Sequence, residues 1–402
     1  MIRFNIKNFK CFYDTSININ RLTILAGANG FGKSSVIQAL LFMRRTIEHC
    51  AKWDGRKYTA EIDCNLNVEL NGAYCLSLGM SNNIIPIEAD MKSMLTLQFQ
   101  SGKDGIGFSY ELNDEKTFLW LNLSEDKIDI QGDVENLPIF NQAFYYLNAE
   151  RIGPRVAQKI KFHDYPNVGW QGEYTAQILS EYGDKTGKIY SNNIVVDEAR
   201  RFDIKEDSNG SLLRQTQLWL QYLMPEVSVS GRIDHQMQCA QIIVENHYTK
   251  GDPVIATNIG FGISYVLPII VTGLIAKPGT IMIVENPEAH LHPSAQSKIG
   301  QFLAVIAQSG VNVIVETHSD HVINGIQIAT ARRTISKEYI TINFFSKGEN
   351  QQAENQTKNR QPIITEITIN EKGELSRWPK GFFDQTQIDY VKLLDLRRRN
   401  DE

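Results

Sequence analysis

Residues 27–35 read Gly-Ala-Asn-Gly-Phe-Gly-Lys-Ser-Ser and fit the phosphate-binding pattern G-x-x-x-x-G-K-[ST] at every fixed position. The run before it, Arg21 to Ala26 (RLTILA), is a short buried strand by pattern, and the run after it, Val36 to Arg45, has apolar residues at helical spacing. Strand, glycine loop and helix in that order are the context the pattern requires. Gly27, Gly30 and Gly32 let the backbone curl so that successive N–H groups point at a polyphosphate, and the helix N-terminus adds its partial positive charge. Lys33 then reaches the β and γ phosphates, and the hydroxyl of Ser34 holds Mg²⁺. The plainer alternative, a glycine turn that only caps a helix, is disfavoured because motif and context agree.

The rest of the composition narrows the field. A chain of 402 residues has room for two or three domains, or for one large α/β domain with insertions. Hydrophobic residues at 42% and charged residues at 22% exclude global disorder. A net charge of -5 argues against coating nucleic acid by bulk charge and leaves room for a local basic patch. The five cysteines, Cys11, Cys50, Cys64, Cys75 and Cys239, form no C-x-x-C pair and read as reduced thiols of a cytoplasmic protein. Met1 to Phe12 alternates apolar and polar residues like a first strand, with no export signal visible. Phe261 to Ala276 is the most apolar run, yet Gly262, Pro268 and Gly273 interrupt it and it falls short of the ~20 residues of a bilayer span. It is expected to be a buried helix, with no membrane contact.

Taken in order, residues 2–9 and 16–26 bring strands up to the phosphate loop. From Tyr58 to Ile130 come short alternating segments (Cys64–Leu70, Met94–Phe99, Gly107–Leu112 and Thr117–Leu123), punctuated by Asn71-Gly72, Lys103-Asp104-Gly105 and Asn113-Asp114. An antiparallel meander is the simplest reading. Phe144 to Asn148 is a further strand leading into Ala149-Glu150-Arg151-Ile152-Gly153-Pro154-Arg155, whose arginines either reach a nucleotide or second subunit, or are surface charges closing the strand. Pro166 to Pro225 reads as mainly helical, with Leu212, Leu213, Leu218, Trp219, Tyr222 and Leu223 as core contacts. Two continuous apolar strands follow. Thr280 to Val284 ends in Glu285-Asn286-Pro287-Glu288-Ala289-His290-Leu291-His292-Pro293, and Val311 to Val315 ends in Glu316-Thr317-His318-Ser319. Both polar clusters sit at strand carboxyl ends, where ligands bind in open α/β sheets. Residues 346–361 are polar and read as a mobile loop; Ile363 to Ile369 is a strand, and a final short helix carries Arg397, Arg398 and Arg399 on a solvated face.

With the phosphate loop, the IMIVENPEAHLHP stretch and the ETHS stretch in that order, the chain resembles ABC-type ATPases of the RecF, SMC and OLD-like group. The resemblance implies an α/β fold: an ABC-type P-loop NTPase head with an antiparallel β meander and a helical insertion. Residues 1–150 become the N-terminal lobe, 151–250 a mainly helical insertion, 251–345 the C-terminal lobe, and 346–402 a polar loop plus tail. In the group's G-x-N-G-x-G-K-[ST] loop, Asn29, Gly30, Gly32, Lys33, Ser34 and Ser35 bind ATP, and Mg²⁺ is held by Ser34 and the Walker B acid, Glu285. His318 falls at the histidine that senses the γ phosphate. Gly260, Gly262 and Ser264 resemble a degenerate signature loop that closes over the ATP of a second copy, so two heads sandwich two nucleotides in a dimer or larger homo-oligomer.

One departure bears on catalysis. The position after the Walker B acid usually carries the catalytic glutamate, and here it is Asn286, which orients water but accepts no proton at neutral pH. Glu288 either substitutes for it or the site hydrolyses slowly as an ATP-held switch. His290 and His292 lack any zinc spacing, which weighs against a metal-centred nuclease. OLD-like proteins often carry a Toprim nuclease; no D-x-D cluster follows the ETHS stretch, so the effector, a nuclease or toxin, is expected on a separate chain. That arrangement is similar to the ATPase subunits of anti-phage systems such as Septu and PARIS. The second hypothesis is a RecF-like clamp that closes on DNA in repair, which predicts turnover stimulated by nucleic acid.

Overall fold

The computed structural model describes residues 1–62, 66–87, 89, 94–112, 117–183, 193–246, 254–258, 260–347 and 361–400. Its central sheet has six strands in the order Phe144–Leu147, Ile281–Glu285, Asn312–Glu316, Leu22–Gly27, Ile340–Ser346 and Ile363–Ile367. The first five run parallel and the last is antiparallel to its neighbour. Such strands are covered on both faces, which is why they read as unbroken apolar runs.

Alternate residues of each strand enter two different cores, as a period of two dictates. Leu22, Ile24, Ala26, Met282, Val284, Val313 and Val315 face helices Phe261–Ile275, Pro293–Gln308 and Asp320–Ala331. Leu25, Ile281, Ile283 and Ile314 face the phosphate-loop helix, Lys33–Cys50, and a five-stranded antiparallel sheet beyond it. That second sheet has the order Ile128–Gln131, Asp104–Tyr110, Leu95–Ser101, Ile2–Phe9, Phe12–Ile19. The expected meander is therefore completed by the N-terminal hairpin, while Leu66–Glu69 and Trp120–Leu123 pair with each other in a separate ribbon. Cys64 and the Asn113-Asp114 turn lie outside the described residues.

Register fixes the site. Glu285 pairs with Glu316, and Glu316 with Leu25, so three strand ends finish level with the phosphate loop. The polar clusters predicted at the carboxyl ends are thereby brought to one edge of the sheet.

Residues 151–250, expected to be mainly helical, hold two α-helices among the described residues, Thr175–Tyr182 and Leu212–Leu223, and beside them a long hairpin, Val227–Asp234 with Cys239–Asn246. Helix Thr175–Tyr182 lies directly on it at Gly231, where a Cβ would stand 2.4 Å from the Ala176 carbonyl oxygen. Leu212, Leu218, Trp219 and Leu223 are buried, as their spacing predicts. Phe261–Ile275 is a buried helix with Pro268 inside it. The polar stretch 346–361 falls almost wholly outside the described residues, and the chain's last helix is Gln385–Asn400.

Candidate nucleotide site

The loop conformation follows from its glycines. Gly27, Gly30 and Gly32 have φ of 134°, 83° and 93°, in the region where L side chains are strained. At Gly27 a Cβ would also lie 2.2 Å from the Phe345 carbonyl oxygen, so the loop can only cross the neighbouring strand without a side chain. Gly30, by contrast, faces open space, and Asn29 beside it is exposed. Lys33 is buried and folds back to donate from Nζ to the carbonyls of Gly27 at 2.9 Å and Ala28 at 2.8 Å. Burial lowers its pKa, and Glu316 opposes that shift. The Ser34 hydroxyl donates to Glu316, 2.9 Å from Oε1 and 3.2 Å from Oε2. Ser35 turns instead to the Cys11 thiol under the loop.

Across the sheet edge, each remaining acid has a partner. Glu285 Oε1 accepts from the Tyr146 hydroxyl at 2.9 Å, and the Ala149 N–H also bonds the carboxylate. Asn286 has φ of 45°, its N–H donates to the Glu316 carbonyl at 2.9 Å, and its Oδ1 is buried without a hydrogen-bond partner. Arg151, only 2% exposed, donates to the carbonyls of Asn148 (3.0 Å), Glu285 (2.7 Å) and Asn286 (2.6 Å). Glu288 accepts from the Thr317 hydroxyl at 2.8 Å and from the His318 N–H at 2.7 Å, tying the Walker B turn to the switch segment. His318 Nε2 stands 4.0 Å from Glu316 Oε1. Hydroxyl and carboxylate oxygens around Ser34 are the hard donors that Mg²⁺ takes, one or two from protein with phosphate and water completing its shell.

Crowding the acids has an electrostatic consequence. Glu316 is pushed up to about 7, first by burial and then by Glu285, with Ser34 and Lys33 pulling the other way. Burial also raises Glu285 and Glu288. A carboxyl whose folded pKa lies above its unfolded value contributes stability that is present below about 4.5 and lost as pH rises through about 7. Nucleotide-free protein is accordingly expected to lose up to about 3 kcal/mol from this group between pH 5 and 8. Urea unfolding across that range should show the decline, and Glu316→Gln should flatten it; an equally steep profile in the variant would assign it elsewhere.

Comparison with known proteins meets this geometry on both halves of the site. A family model described as "AAA ATPase domain" matches residues 1–152, which hold the phosphate loop. Another, described as "AAA domain, putative AbiEii toxin, Type IV TA system", matches residues 161–324, which hold strand Ile281–Glu285 and His318. Both halves of the site are thus similar to AAA ATPase domains, and the matches support the resemblance to the RecF, SMC and OLD-like group. A third model, "Protein of unknown function (DUF3696)", matches residues 335–393. The Old nuclease of Escherichia phage P2 is 35% identical over 74 residues, 15% of this chain and 13% of that protein, so the match spans a small part of the nuclease's length. Among solved structures, an SMC head bound to the C-terminal winged-helix domain of ScpA covers 92% of this chain and 98% of its own at 11% identity and a TM-score of 0.48. A Pyrococcus furiosus SMC head with an extended coiled coil, bound to the C-terminal domain of ScpA, covers 99% and 100% at 12% identity and a TM-score of 0.45.

Gly262 and Ser264 lie on helix Phe261–Ile275. Ser264 is 6% exposed in the first turn of that helix, which is buried nearly all round. Gly262 backs onto the turn before helix Pro293–Gln308, where a Cβ would stand 3.0 Å from the His290 carbonyl oxygen. Phe261 is the exposed residue of the first turn of Phe261–Ile275, stacked on the His290 ring at 5.4 Å. His292 caps helix Pro293–Gln308 through Nδ1. Among the described residues no group of three His, Cys, Asp or Glu side chains is arranged to hold a metal, and no helix is long and apolar enough to cross a membrane. The roles of three residues at the site were not read from the sequence. Arg151 is buried on backbone carbonyls and is not a surface charge, Tyr146 looked like one more apolar strand residue, and Glu316 was seen only as part of a polar cluster.

Proposed function

We propose that this ATPase binds ATP with Mg²⁺, hydrolyses it slowly, and through nucleotide-dependent association of two heads controls a separate effector, a nuclease or toxin, in bacterial anti-phage defence. The observation that carries the slow-switch reading is the surroundings of the missing base. Asn286 stands where the group has its catalytic glutamate and takes no proton, while both oxygens of Glu288 accept hydrogen bonds from the switch segment. Lys33 leaves the loop carbonyls for the β and γ phosphates, Ser34 and an acid hold the metal, Asn286 orients water, and His318 faces the γ phosphate. The metal, when bound, neutralises charge on the β and γ oxygens. The defence setting draws support from the toxin–antitoxin description of one matching model and from the local likeness to the Old nuclease.

Glu288→Gln replaces one acceptor by an NH₂ that opposes the Thr317 or His318 donor. It is expected to slow turnover by about tenfold, through loss of the switch position, with ATP affinity within about threefold of wild type. Fast turnover unaffected by this substitution would sink the slow-switch reading. The setting is tested by isolating the tagged protein from its host with ATP and Mg²⁺, beside Lys33→Ala, and identifying what accompanies it. A stoichiometric nuclease-like or toxin-like chain that is lost with Lys33→Ala supports the proposal; a homodimer carrying only DNA overturns it in favour of a repair clamp.

A further inference from the structure

Sequence pattern assigns the metal-facing acid of this site to Glu285, at the end of the Walker B strand. The geometry points elsewhere. Strand Asn312–Glu316 lies between Ile281–Glu285 and Leu22–Gly27, so the acid next to the phosphate-loop strand is Glu316, paired with Leu25 on one side and Glu285 on the other. The Ser34 hydroxyl, the loop oxygen expected to hold the metal, is directed at the Glu316 carboxylate, 2.9 Å from its nearer oxygen. Glu316 is also the acid that acts on Lys33. Glu285, in contrast, is engaged from the far side by Tyr146 and the Ala149 N–H, while Arg151 holds its carbonyl. Tyr146 is 5% exposed on the edge strand, so this hold is built into the core and not a solvent contact.

We propose that Glu316 is the carboxylate that receives the magnesium of the nucleotide site together with Ser34, and that Glu285 is a positioning residue fixed by Tyr146. This rests on the ATP reading above. The chemistry is consistent with the position: a buried acid beside two others is crowded when no cation is near, and a divalent ion at Ser34 relieves that crowding directly.

The test replaces Mg²⁺ by Mn²⁺ and reads its binding by electron paramagnetic resonance in the presence of ADP. Glu316→Gln is expected to weaken Mn²⁺ binding by at least about tenfold, and Glu285→Gln by less than about threefold. Ser34→Ala should weaken it too, and should add little on top of Glu316→Gln, because both remove one coordination unit. Glu316→Asp, which keeps the charge on a shorter arm, should alter the Mn²⁺ line shape where Glu285→Asp does not, which covers the case of an unfolded Gln variant. Equal or greater loss with Glu285→Gln, or additive effects of Ser34→Ala and Glu316→Gln, would overturn the assignment. Metal-free ADP binding by wild type is measured alongside; its absence would count against the nucleotide reading itself, separately from the choice of acid.

Discussion

Lys33→Ala is expected to lower kcat/KM for ATP by about 10³-fold while leaving the fold intact. The two effects separate because of what Nζ touches. In the nucleotide-free protein it caps the carbonyls of Gly27 and Ala28. Ala28 lies on an exposed part of the loop, where water can take over the bond, so the structural cost should stay near 1 kcal/mol. The functional loss is larger, since a cation preorganised at the mouth of a backbone nest meets charge that builds up on the phosphates in the transition state. Lys33→Arg is not a conservative rescue, because a planar fork does not fit where a compact ammonium turns between two carbonyls. Phosphate release and fluorescent-nucleotide titration check the first half, and urea unfolding the second. Turnover within a few-fold of wild type would remove the phosphate loop from the mechanism.

How far the sequence could be read depended on whether a residue's role is local. The strand, loop and helix from Leu22 to Cys50 are specified by neighbours in the chain, through left-handed glycines and helical spacing, and pattern recovers them. The strands ending at Glu285 and Glu316 were equally legible, because burial on both faces leaves a continuous apolar run. The hairpin of Val227–Asp234 and Cys239–Asn246 was not, since one of its faces is half exposed and Gly231 weakens the strand signal for a packing reason that lies in Thr175–Tyr182. The local structure at Ser264 was also hard to read. Its place in a glycine-bearing turn looked like a loop, but the apolar helix begins at Phe261 and takes the serine into the core. Glu316, Tyr146 and Arg151 act across 282, 139 and 135 residues of chain respectively, and only the sheet order brings each to its partner. No spacing rule encodes that.

Arg151→Ala should be the most damaging single change outside the phosphate loop, destabilising the protein by about 3–5 kcal/mol. The guanidinium closes the gap between the Asn148 turn and the Walker B turn, and loss of this side chain, itself only 2% exposed, leaves three carbonyls without their donor. Bonds from a charged donor contribute about 1.5–3 kcal/mol each, and burial makes an unmet acceptor costlier than a solvated one. Arg151 itself is under strain of solvation: burial lowers its pKa to about 10, with Glu288, Tyr265 and Glu285 holding it up, so it remains charged at neutral pH. The same three groups would lose their cation in the variant. Asn286 depends on it most, because its φ of 45° is held between the Arg151 fork on its carbonyl and the Glu316 carbonyl on its N–H. Arg151→Lys keeps the charge but reaches only part of the fork, and should recover about half of the stability with a larger residual defect in turnover than in ATP affinity. That split distinguishes positioning of the Walker B turn from a general loss of stability. Urea unfolding and nucleotide titration at a temperature where all three proteins are folded would measure both, and an Arg151→Ala protein within about 1 kcal/mol of wild type would show that the clamp holds nothing that water cannot.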